Sequence, residues 1–453
     1  MIRAGGGIFY DGPSQDFFVG NQAYNTNAGQ AGPAFNGIGF ASPVATTLQY
    51  GQAIFGNNSP STGEPTVGLY LPSSVFTVDQ KLVTPRYGSY NLNIESQVAS
   101  KVALQIGYVG SQGRHLFHFV DLNQVNNVNG SVDSCGNGAT ISYGEQCFPS
   151  YSTGSFVNIP LYYVNQIETS ALSNYNSLQA TMKLQNWHGL TSTLNYTWAH
   201  SIDTASDGLD FVPNAAMPDN SFNPRAERAS SNFDVRQRMQ WYWTYNLPKI
   251  QQAKWITNGW ALDGMFNFAT GQPYTVSYLF ETLGGGNYNG SGEYFGRPDI
   301  IGNPHTGASG TNLLNLAAFA APCTWVGDNV TGSCAANSEH PGSEGRNAFN
   351  SPNYTNFDFS LTKTSHLTKT MTMELRGDFF NIFNHPNFSN PLLPGFGIDV
   401  FGSPIAPVGG NRLLAGDASQ FLATTATPDV GSGNPYLGGG GPRSAQLAVH
   451  FTF

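Results

Sequence analysis

The chain has 453 residues, of which 10% are charged and 13% aromatic, and its mean hydropathy is −0.24; an ordinary soluble enzyme carries about 25% charged residues on its surface and elsewhere. A formal net charge of −9 and a pI near 5.4 exclude a nucleic-acid partner, which needs a basic face. No run of roughly 18 apolar residues is present, so no helix spans a membrane, whereas barrel strands need only about 9–11 residues each.

In chain order, Arg3–Tyr10 (RAGGGIFY) is the first candidate strand. Residues 11–81 show little periodicity and read as one long loop region, rich in Gly, Asn and Pro. Tyr90, Leu92, Ile94 and Val98 then alternate with Asn91, Asn93, Glu95 and Gln97, and Val102, Leu104, Ile106 and Tyr108 follow after a short turn. That is a hairpin. GSQGRHLF, with Arg114 and His115, reads as a turn into a long loop. Leu178, Ala180, Met182 and Leu184 mark the next strand, and Leu190, Leu194, Tyr196 and Trp198 its partner. A polar loop from His200 to about Asp234 leads into Val235–Leu247. There Trp241, Trp243 and Tyr245 face one side, as in an interfacial aromatic girdle, and Arg236, Arg238, Gln240 and Thr244 the other. Trp260, Leu262, Phe266 and Phe268 alternate next, GQPYTV begins a further strand, and 284–353 reads as external loop.

The closing hairpin occupies 356–383. Phe357, Phe359 and Leu361 alternate with Asp358, Ser360 and Thr362; Met371, Met373, Leu375 and Phe379 alternate with Thr372, Glu374, Arg376 and Asp378. After a loop over 386–443, the chain ends LAVHFTF at 447–453, with Leu447, Val449, Phe451 and Phe453 on one face. A period of two puts one set on each face of a strand. A soluble sandwich shows the same alternation. A chain that stops on the outward Phe453 inside a strand leaves an edge, however, and closing a barrel removes it. Strand pairs joined by short turns and separated by long loops form the outer-membrane pattern of short periplasmic turns and long external loops. The expectation is an all-β, antiparallel transmembrane β-barrel domain of roughly ten to twelve strands, in the outer membrane.

Candidate sites are few. Cys135 with Cys147 and Cys323 with Cys334 fall into two local pairs without CxxC spacing, which points to two disulfide-closed loops outside the cytoplasm. Asp203, Asp207 and Asp210 share a loop and offer oxygen ligands for Ca²⁺, but without EF-hand spacing they read first as solvated loop acids. Arg225, Arg228, Arg236, Arg238, Glu374, Arg376 and Asp378 are candidate lumenal charges that either touch an anionic substrate or form a satisfied network. GxSxG, HExxH and P-loop signatures are missing, so neither an enzyme nor a cofactor is expected.

YNLNIESQVASKVALQIGYVGSQGRHL, YNSLQATMKL, LTSTLNYTWAHSID, FDVRQRMQWYWTYNLP, GWALDGMFNFATGQPYTV and ELRGDFFNIFNHPNF together resemble the barrel of Oar-like TonB-dependent transporters, most specifically over Phe379–Phe388. The resemblance implies a barrel of about 22 strands after a plug domain, energised through a TonB-binding box, often with a carboxypeptidase-regulatory-like domain in front. The chain matches only the C-terminal portion, and its opening MIRAGGGIFYDG is not a signal peptide. The expectation is a fragment of a transporter for a bulky nutrient (oligosaccharide, peptide or siderophore), without plug or regulatory-like domain. Its implied partners are outer-membrane lipid, the barrel-assembly machinery, the transported substrate and, where plug and box exist, the TonB complex. The rival expectation is an outer-membrane structural or adhesion barrel that does not transport.

Overall fold

The computed structural model describes residues 1–12, 73–122, 147–152, 155–206, 218–252, 254–280, 295–307, 313–320, 324–326, 329–331, 342–388, 395–398 and 442–453. Ten strands follow one another across a single antiparallel sheet. They are β1 (Ile2–Tyr10), β2 (Arg86–Ala99), β3 (Val102–Asp121), β4 (Ser155–Trp187), β5 (Leu190–Asp203), β6 (Gln237–Asn246), β7 (Trp260–Ala269), β8 (Tyr354–His366), β9 (Thr372–Phe380) and β10 (Ser444–Thr452). Each pairs with its neighbours in chain order, so the sheet is a meander.

The register carries the period-two pattern unbroken across the sheet. Thr191, Thr244, Asp263, Ser360 and Asp378 lie in one row on the polar face. One residue away, Ser192, Trp243, Gly264, Phe359 and Phe379 form a row on the other face. That outer face leaves Leu92, Ile94, Ile106, Tyr108, Leu178, Met182, Leu447 and Val449 exposed. An apolar surface of this extent is what a bilayer covers and water does not. Covering each large side chain is worth about 1.5–3 kcal/mol.

Buried apolar residues gather instead at the long-loop end. Phe119, Val120, Ile167 and Ala171 are buried where β3 and β4 run on past the roughly ten residues needed to span a bilayer; Tyr274 and Phe319 pack on the Phe349 ring, and Val276 and Leu314 are also buried.

Two expectations need correction. GSQGRHLF is not a turn: β3 continues through it to Asp121, paired with β4. Register shifts between Gly113 and His118 form a bulge, with His115 at a φ of 56°. A bulge bends a strand without ending it. Second, GQPYTV does not extend the wall. Pro273–Tyr274 pairs with Phe349–Asn350, and Ser277–Phe280 joins a small separate sheet, so this stretch belongs to the external loops. The last strand, β10, forms one edge of the sheet. It pairs with β9 and not with β1, and β1 pairs only with β2, so among the described residues the sheet is open at both ends. One further strand, Ser73–Val78, lies inside the stretch read as loop and runs parallel to β4.

Candidate functional site

The polar face of the wall holds a cleft of about 420 Å³ between β5 and β9. Thr191, Thr193, Thr244, Asp263, Asp358, Ser360, Arg376 and Asp378 line it, with Tyr242 and Phe380. Its carboxylates are cross-strand braces. Thr244 Oγ1 donates to Asp263 Oδ1 at 2.6 Å, and Ser360 donates to Asp378 directly opposite. Arg376 Nε donates to Asp378 Oδ1 at 2.7 Å. Asp358 accepts from Asn356 Nδ2 at 3.0 Å and from the Asn381 N–H at 2.8 Å. Hydrogen bonds between directly opposed side chains stiffen neighbouring strands and leave hydroxyls and guanidinium edges facing the cleft. Such a surface offers polar contacts.

A denser constellation sits at the long-loop end, where Glu344, Arg346 and Asn347 tie two external connections together. Arg346 is 5% exposed and its side chain donates four hydrogen bonds to three residues. Its Nε donates to the Glu227 carbonyl at 2.8 Å, Nη1 to Ser206 Oγ at 3.0 Å, and Nη2 to the Asp203 carbonyl at 2.8 Å and to the Asp203 carboxylate. Asn347, at a φ of 54°, donates its backbone N–H to Thr275 Oγ1 (2.6 Å). Its Nδ2 donates to the Ser230 carbonyl and Asn232 Oδ1, both at 2.7 Å. Arg297 grips the Glu227 carboxylate with both terminal nitrogens and lies beside Asp219.

Glu344 is buried. Its Oε1 accepts the Val276 N–H at 2.8 Å, whereas Oε2 has no hydrogen-bond partner among the described residues. Burial pushes its carboxyl up from 4.5 to about 9, against the pull of the Val276 N–H and Arg297. The Glu344 carboxyl is therefore neutral at pH 7. Tyr274 is raised by burial and then by Glu344. Arg297, which burial alone would lower, is raised by its bond to Glu227 and by Asp219. Each charge in this cluster is thus either paired or neutralised, as a water-poor site demands.

The candidate residues from the sequence scatter across this architecture. Arg376 and Asp378 come together in the cleft, while Glu374 and Arg238 lie on the same polar face nearer the two strand ends. Arg236 precedes β6 and donates to Asp234 Oδ2 at 3.1 Å. Arg225 and Arg228 are exposed on and beside the 3-10 turn Pro224–Glu227. Asp203 serves Arg346, while Asp207 and Asp210 lie outside the described residues. So do Cys135, Cys323 and Cys334; of Cys147 only the backbone, in the strand Cys147–Ser152, is described. Phe453 follows β10 and is 86% exposed. Sequence reasoning missed Glu344, Arg346, Asn347 and Arg297 because they lie in the stretch read as loop. The one available signal was a Glu-Gly-Arg-Asn run just ahead of the closing hairpin in a charge-poor chain.

Residues 1–412 match the family model of an outer membrane beta barrel domain. No curated protein matches the sequence. Among solved structures, the outer membrane transporter YddB from Escherichia coli is similar at 9% identity and a TM-score of 0.37, over 84% of this chain and 34% of that one. A mutant ferric enterobactin receptor, PfeA, from Pseudomonas aeruginosa is similar at 10% identity and a TM-score of 0.34, over 82% and 31%. The FrpB iron transporter from Neisseria meningitidis follows at 9% identity and 0.33, over 83% and 33%. The chain spans about a third of the length of these structures.

Proposed function

Since the chain belongs to the outer membrane beta barrel domain family, we propose that it is the C-terminal portion of an Oar-like, TonB-dependent barrel that takes up a bulky nutrient across the outer membrane. The observation that carries this reading is the ten-stranded antiparallel wall with an apolar outer face, a polar inner face and, among the described residues, two unpaired edges. A bilayer does not tolerate unpaired backbone groups, so in this reading further strands pair with these edges and complete the cylinder. A barrel of about 22 strands encloses a lumen wide enough for a plug and a passing solute. In this reading the cleft supplies passing polar contacts, the external connections meet the nutrient first, and force arrives from the inner membrane through plug and box. No covalent chemistry is involved.

The test is the genomic DNA upstream of the Met1 codon, in the same frame. A frame that runs on into further strands, a plug and a TonB box supports the reading. Stop codons that close the frame next to Met1 overturn it and favour an adhesion or structural barrel.

A further inference from the structure

The connections at the short-turn end of the wall differ in charge from the rest of the chain. Residues 100–101, 188–189, 247–259 and 367–371 include Lys101, Lys249, Lys254 and Lys369 and no Asp or Glu, in a chain of formal net charge −9. The nearest acidic side chains, Glu95, Asp263 and Glu374, sit inside strands in register with the polar, lumenal face. The outward rim at this end is therefore basic.

The connection at 247–259 is also the longest of these, and it exposes three large apolar side chains. Trp255 is 78% exposed, Ile250 50% and Ile256 48%. This is a folded feature. The Ile250 N–H donates to Asn258 Oδ1 at 2.7 Å, Thr257 Oγ1 to the Gln252 carbonyl at 2.9 Å, and Trp260 Nε1 to the Ile256 carbonyl at 2.6 Å. The single helical turn Lys254–Thr257 thus holds Trp255 outward beside Lys254. Lys363, on the lipid-facing register of β8, bends its ammonium to the Asn258 carbonyl and over the Trp260 ring, 5.6 Å from its centroid. A lysine that turns its charge toward the turn end marks where hydrocarbon gives way to headgroups.

We propose that the 247–259 connection is an interfacial anchor that recognises anionic phospholipid in the periplasmic leaflet. Trp255, Ile250 and Ile256 enter the boundary between acyl chains and headgroups, and Lys249 and Lys254 pair with lipid phosphate. Tryptophan bodies with flanking lysines fit that boundary, where a negative surface attracts basic residues. The short turns face the periplasm, so the phosphate belongs to phospholipid. The inference rests on membrane placement and is independent of the transport reading.

The test takes the protein from outer membranes in mild detergent and equilibrates it with mixed micelles of phosphatidylcholine and phosphatidylglycerol. Native mass spectrometry then reads which lipid is retained. The wild-type protein retains phosphatidylglycerol preferentially. K249Q/K254Q weakens that preference by about 30-fold, roughly 5-fold per lysine, and K249R/K254R preserves it. An unchanged preference in the glutamine variant, or none in the wild type, overturns the proposal; the second result assigns the patch to a periplasmic protein. If the glutamine variant does not fold, salt decides. A wild-type preference that survives 1 M salt, where screening reaches about 3 Å, overturns the proposal, and one that vanishes supports it.

Discussion

Replacing Arg346 with Met should release the external connections while leaving the wall intact. Arg346 and Asp203 are each buried, and the guanidinium also holds the Glu227 carbonyl and Ser206. Removing one partner of a buried pair strands the other charge, at a cost of about 3–5 kcal/mol. The population with the latch open then rises by roughly two to four orders of magnitude. The assay is amide hydrogen exchange on the membrane-embedded protein, followed at Val276 and Asn347, whose N–H groups are bonded inside the cluster, and at Ser201 and Ser231, bonded to Asp234 and to the Ser201 carbonyl beside it. Exchange there should accelerate by that factor, or until it meets the opening rate of the cap as a whole. Exchange in β6 and β7 should not change. The double variant D203N/R346M should recover much of the protection, because no unpaired charge remains. Unchanged exchange in R346M would refute the latch, and equal acceleration in β6 and β7 would show that Arg346 supports the entire barrel.

Two other outcomes follow from the same chemistry. The carboxyl of Glu344 is raised to about 9, so the folded cap holds a proton that the unfolded one has lost above about 4.5. Its contribution to cap stability is therefore full below about 4.5 and is lost as pH rises to about 9. E344Q, which mimics the neutral carboxyl, should flatten the slope of cap exchange between pH 7 and pH 9.5, and an unaltered slope would show that another group titrates. For the cysteines, mass spectrometry of a non-reduced digest should find Cys135 joined to Cys147 and Cys323 to Cys334; crossed pairs or free thiols would discard the two-loop arrangement.

What the sequence determined by itself is the wall. Alternation such as Tyr90, Leu92 and Ile94 against Asn91, Asn93 and Glu95 is a local property, and each strand carries it without reference to its neighbours. Membrane placement follows from the same pattern, because lipid selects one face and water the other. Strand length was less legible. β3 runs through GSQGRHLF because β4 continues beside it, and a strand's end depends on whether a partner is there to pair with.

Only the tertiary structure decided the external cluster. Arg346 meets Asp203 across 143 residues, and Glu344 meets Val276 across 68. Such pairs have no period, and a carboxylate or guanidinium in a Gly- and Asn-rich stretch reads the same whether it is solvated or buried. The connection at 247–259 shows both limits in one place. Its lysines and its tryptophan are plain in the sequence, but their common outward face exists only once the turn has closed on Asn258. Local alternation is set by the backbone's own geometry, whereas burial of charge is settled by which distant segments happen to fold against it.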